Sequence, residues 1–163
     1  MSHLRKKHDW VHQQGYTLLE LIVVVLIIGV LSGIAIPNFL DWLHEYRLQA
    51  AANTLMNHLR AARLLAIFTG KEHQLQIKNR ENGNYYQVVQ DPKKSSEQVV
   101  KSIGQVILHK EFGEVMIKEP ISGTISFYPK GTSSNKSILL ENSVAHRIYI
   151  RVNNFGRIKQ ERL

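Results

Sequence analysis

The sequence predicts an α+β protein: one long amino-terminal helix, its first half transmembrane and kinked near Pro37, packed on an antiparallel β-sheet headgroup. Three observations carry this. Positions 18–36 are apolar or small except for Glu20 and Ser32. Leu48, Ala52, Leu55, Leu59, Ala62 and Ala66 then recur at steps of three and four, drawing an apolar stripe down a second stretch of helix. From Lys71 onward the hydrophobic period falls to two, the repeat of a half-buried strand.

Taken in order, positions 1–15 form a basic leader holding Arg5, Lys6, Lys7 and Asp9. Positive charge ahead of a first span keeps that end in the cytoplasm, so the body is expected on the far side of the membrane. The apolar run at 18–36 amounts to about 28 Å of helix, close to the ~30 Å hydrocarbon core of a bilayer. Glu20 breaks it. A carboxylate within such a helix costs roughly 2.5–3.5 kcal/mol at mid-span, so its presence points to function. Gly29 and Gly33 form a Gly-x-x-x-Gly pair that lets another helix approach closely, although glycine is also common in membrane helices. Pro37 removes a backbone donor and should kink or loosen the helix. The expected organisation is a leader at 1–15, a membrane or core helix at 16–40, an amphipathic half at 41–70 and a β-rich headgroup at 71–163. Gly70 supplies the helix stop.

Strands are expected at 73–78, 84–91, 105–110, 115–118, 124–128, 136–141 and 147–152. A polar loop is expected at 91–98, and turn signals stand at 79–83, Gly113, Gly123, Pro129-Lys130-Gly131 and Asn153-Asn154. In the strand at 147–152, alternation puts Arg147, Tyr149 and Arg151 on one face and Ile148, Ile150 and Val152 inward.

The formal charge is +8, about +6 of it beyond the leader. That balance permits nucleic acid, anionic lipid or acidic protein as a partner and selects none. There is no cysteine, which excludes disulfides and thiolate metal sites. Eight histidines are scattered without ligand spacing, and no nucleophile elbow, His-Glu-x-x-His or phosphate-binding glycine loop is present. The expectation is a non-enzymatic protein without metal or cofactor. A cluster of cations with aromatic neighbours at the carboxy terminus (Arg147, Arg151, Phe155, Arg157, Lys159 and Arg162) suits phosphate contact and base stacking. The same residues would also serve as a charged sheet edge that discourages aggregation.

Gly15-Tyr16-Thr17-Leu18-Leu19-Glu20 ahead of the apolar run resembles the type IV prepilin signal, with Tyr16 where Phe is more usual. An ordinary secretory signal ending near Ser32-Gly33-Ile34-Ala35, or an uncleaved anchor, accounts for the hydropathy but not for these six residues. The segment Ile125-Ser-Phe-Tyr-Pro-Lys-Gly131, the strands at 137–140 and 147–152, and the ending Gly156-Arg-Ile-Lys159 resemble the GspH/FimT pseudopilin family, with Lys159 replacing the usual last Arg. The resemblance implies cleavage between Gly15 and Tyr16 by prepilin peptidase, with N-methylation of Tyr16. It implies anchorage in the bacterial inner membrane with the headgroup in the periplasm. It further implies assembly with other pilins through the amino-terminal helix, in which Glu20 meets a neighbour's new amine and Gly29, Gly33 and Pro37 adjust the helix. The function so implied is that of a minor pseudopilin in a type II secretion fibre. The alternative is a FimT-like type IV minor pilin binding DNA through Arg147, Arg151, Arg157, Lys159 and Arg162.

Overall fold

The computed structural model describes residues 16–80, 83–92, 98–100, 103–120 and 122–162. The leader, including Gly15, lies outside them. The chain divides into two compact units, Met1–Phe39 and Leu40–Leu163, and one helix, α1 (Leu18–Thr69), contributes to both.

In the first unit, α1 starts at a cap. The Glu20 amide donates to Thr17 Oγ1 at 3.2 Å and the Leu21 amide to the Thr17 carbonyl, so Thr17 satisfies donors that a helix start leaves open. Thr17 and Glu20 have the spacing of a capping box. No residue of α1 before Leu48 is buried, and this first stretch is long and apolar enough to cross a bilayer. The helix persists through Pro37 as one element. Pro37 has no N–H to offer the carbonyl four residues back, and next to it Asn38 Nδ2 donates to the Ile34 carbonyl at 3.0 Å.

The second unit is built around the rest of α1. The six residues of the predicted stripe are all buried there, together with Ala51 and Met56. They pack against two antiparallel sheets. The first has the order β3-β2-β1-β6, with β4 also on β2: β1 (His73–Arg80), β2 (Gly83–Gln90), β3 (Gln98–Val99), β4 (Gln105–Ile107) and β6 (Gly123–Phe127). The second runs β5-β7-β8-β9: β5 (Met116–Glu119), β7 (Lys136–Glu141), β8 (Arg147–Val152) and β9 (Ile158–Arg162). Both sheets feed one core, with Leu75, Tyr86 and Phe127 from the first and Ile138, Leu140 and Ile150 from the second.

Most predicted strands fall where alternation put them, and β7 and β8 match end for end. Four expectations need correction. The strand foreseen at 105–110 stops at Ile107, and residues 108–112 form a short helix, α2 (Leu108–Phe112). Leu108 and Phe112 stand four apart, so a helical turn brings both to the core; Gly113, at φ 68°, ends it. A short strand, β3, pairs Val99 with Val89 just after the predicted loop, most of which lies outside the described residues. The basic ending is itself a strand, β9, which alternation missed because Ile158 is its one apolar side chain. Gly123 opens β6 and is not a turn.

Candidate assembly and interaction sites

The first candidate site is the head of α1. Tyr16 and Glu20 are exposed, and among the described residues no hydrogen bond or ion pair reaches the Glu20 carboxylate. A Cβ added to Gly29 or Gly33 would meet nothing within 4 Å, so both present open backbone on a helix face. The structure thus offers an unpartnered carboxylate and a smooth stripe on one apolar rod. Both are features a neighbouring helix could use.

The second candidate is the cationic ending, which the tertiary structure splits in two. Arg147 Nε lies 2.7 Å from Glu141 Oε2, and Lys118 Nζ lies 3.1 Å from the other oxygen of the same carboxylate. Hydrogen bonds from Lys118 and Arg147 hold the Glu141 carboxyl below its ordinary range. Arg151 pairs with Glu161 across β8 and β9 at 3.2 Å. Arg162 reaches α1, with Nη1 3.0 Å from Glu45 Oε1 and Nη2 donating to Gln49 Oε1. Arg157 and Lys159 are exposed and pair with no carboxylate among the described residues. They flank a groove of about 250 Å³ shared with Asn135, Arg151 and Glu161. As predicted, Arg147 and Arg151 are exposed on β8 while Ile148, Ile150 and Val152 are buried.

What sequence reasoning missed is the set of ties between α1 and the loops. Arg63 lies off the apolar stripe and reads as a solvated cation, yet its Nε donates to the Gly131 carbonyl at 3.0 Å and its Nη2 to the Phe155 carbonyl at 3.1 Å. One guanidinium thereby joins the loop after β6 to the turn between β8 and β9, a fork that lysine could not reproduce. Both loops supply glycines to admit it. Gly131 and Gly156 sit at φ 80° and 73°, and a Cβ on Gly156 would run into the Gly131 carbonyl and the Arg63 side chain. Asn153 closes the β8–β9 turn by accepting from the Phe155 and Arg157 amides. Elsewhere Gln49 and Gln160 exchange hydrogen bonds, and Asn142 Nδ2 donates to the His44 carbonyl. The glycines at 131 and 156 were the available signal, since a glycine after a strand often marks a close approach.

A half-buried pair completes the ties. Tyr86 Oη and His58 Nδ1 are 2.8 Å apart, linking β2 to α1. Burial, with a smaller push from the Glu111 carboxylate, raises the Tyr86 hydroxyl above its ordinary value. Burial also lowers His58, partly opposed by Glu111.

With this geometry in view, comparison with known proteins is informative. Residues 10–36 match the family described as the prokaryotic N-terminal methylation motif. The chain is 42% identical over 60 residues to a fimbrial protein of Pseudomonas aeruginosa, covering 37% of this chain and 38% of the relative. It is 37% identical over 78 residues to the type IV major pilin protein PilA of Myxococcus xanthus, covering 45% of this chain and 34% of that one. The chain therefore spans under two fifths of the length of these relatives. Among solved structures, the minor pseudopilin EpsH from the Type 2 Secretion System of Vibrio cholerae superposes with a TM-score of 0.56. That match covers 71% of this chain and 97% of EpsH at 11% identity, and it is a likeness of fold. A methylation motif at the head of a helix whose later half carries a two-sheet headgroup defines the class of type IV pilin-like proteins. The chain shares that motif and that fold, a type IV pilin-like architecture that agrees with the GspH/FimT resemblance of its closing strands.

Proposed function

We propose that this chain is a minor pseudopilin of a type II secretion system. Prepilin peptidase cuts after Gly15 and methylates Tyr16. The helix then anchors the chain in the inner membrane, amino terminus cytoplasmic and headgroup periplasmic, until the subunit joins a short fibre that supports protein export. The observation that carries this reading is the pairing, on one helix, of a methylation motif and an EpsH-like headgroup. Glu20 is the assembly residue: a carboxylate in an apolar setting needs a cation, and the amine freed on a neighbouring Tyr16 is the chemistry at hand. Gly29 and Gly33 let the helices close up, and Pro37 lets the helix loosen as they pack.

Three measurements test this. Mass spectrometry of the mature protein should find N-methyl-Tyr16 as its first residue; a retained leader or a cut beyond Ser32 removes the proposal. Glu20→Leu should leave cleavage intact and deplete the chain from the fibre fraction, and undiminished incorporation would remove the assigned role. Deleting the gene should trap exported proteins in the periplasm. Loss of surface pili with export intact would assign the chain to a type IV pilus.

A second reading, a FimT-like subunit that binds DNA, draws on Arg157 and Lys159, which no carboxylate neutralises among the described residues. Two phosphate contacts would give a slope of about −2 for log affinity against log salt. Titration of the full chain in detergent with duplex DNA reads this directly, and affinity without a salt slope excludes it.

A further inference from the structure

Three segments of the second unit meet around Arg63: residues 60–68 of α1, the loop 128–132 and the turn 153–157. Arg63 binds the Gly131 and Phe155 carbonyls, and Ile67 Cδ1 lies 3.4 Å from where a Gly131 Cβ would stand. Large apolar side chains on these segments face solvent: Phe68 is 82% exposed and Phe155 79%, with Leu64, Ile67 and Tyr128 also open. Leu64 and Phe68 are one turn apart, so they share a helix face. The turn carrying Phe155 is fixed, because Asn153 and Arg63 hold its backbone. Rings displayed on a clamped turn lose little freedom on binding, which is how aromatic anchors in protein interfaces work.

The charge carried by these segments is one-sided. The three segments hold Arg60, Arg63, Lys130 and Arg157 and not one Asp or Glu. On β8 and β9, by contrast, Arg147, Arg151 and Arg162 are each answered by a carboxylate. We infer that this cation-rimmed apolar face, centred on Leu64, Ile67, Phe68 and Phe155, docks an acidic protein surface with an apolar centre. A second copy meeting it face to face would set cations against cations, a repulsion that disfavours that pairing. Leu64 and Ile67 match apolar side chains of a protein better than the polar edges of nucleic-acid bases. Scattered apolar residues on a surface carry no such meaning; a group on three segments joined through Arg63 does.

The test is site-specific photo-crosslinking of the full chain in its own cell. A photoreactive phenylalanine analogue replaces Phe68 or Phe155, with exposed Asn57 as the control site. Both positions should give a crosslink to a different protein, whose linked peptide carries Asp or Glu beside apolar residues. The double reversal Lys130→Glu with Arg157→Glu should lower that yield by about tenfold or more, while Arg157→Lys keeps it. Unchanged thermal melting of each variant establishes that folding is not the cause. Crosslinks to phospholipid, to nucleic acid or to the chain's own copies overturn the inference. So do yields no higher than at Asn57, a linked peptide without carboxylates, or capture indifferent to charge reversal.

Discussion

The two stretches of α1 on either side of Phe39 follow the same backbone rules and differ in what surrounds them. The first is apolar on every face, and none of its residues is buried within the chain. The second is apolar on one stripe, and that stripe is fully covered by two sheets. An all-round apolar helix needs lipid or other helices as its solvent, whereas a striped one is completed by its own domain. Length of helix therefore says little about function; the breadth of the apolar surface says more.

Matched truncations should break this symmetry most visibly. Leu59→Ala removes a fully buried side chain and should cost about 2–5 kcal/mol of headgroup stability in denaturant melts. Leu26→Ala, the same change in the first stretch, should shift that melt by no more than about 0.5 kcal/mol. Equal effects would mean that the first stretch is buried against the headgroup. Gly156→Ala ranks next. It forces a side chain into a left-handed turn and into the Arg63 fork, with an expected cost of about 1–3 kcal/mol. A neutral outcome would show that the loops at 131 and 156 separate freely.

The smallest effect is one of pH. His58 is held below its ordinary 6.5 in the folded chain, so the unfolded chain takes up its proton first as pH falls. The stability that depends on neutral His58 is complete above about pH 6.5 and is lost as pH falls through the lowered folded-state value. The thermal midpoint should decline from pH 7.5 to 5, and His58→Gln should flatten part of that decline. An identical slope in the variant would locate the dependence elsewhere.

How far the sequence reaches is visible in particular residues. The stripe from Leu48 to Ala66, the inward faces of β8 and the apolar rod behind Glu20 all follow from local period, because side-chain direction repeats with the backbone. Leu108 reads as strand because it alternates with Val106, and only its four-residue spacing to Phe112, beyond the expected strand, speaks for a helix. Strand β9 escaped because its pairing with β8 comes from backbone bonds that its polar side chains do not announce.

By itself, the order of residues determined where the helix is greasy all round, where it is striped, where strands alternate, and that Glu20 stands out of place. Only the tertiary structure decided which cations are spent. Arg162 meets Glu45 across 117 residues, and Arg63 ties two loops far from it in the chain. Periodicity is a property of neighbours along the backbone, whereas the partner of a charge is chosen by topology. A basic residue therefore reads the same in sequence whether it is clamped, neutralised or free to bind.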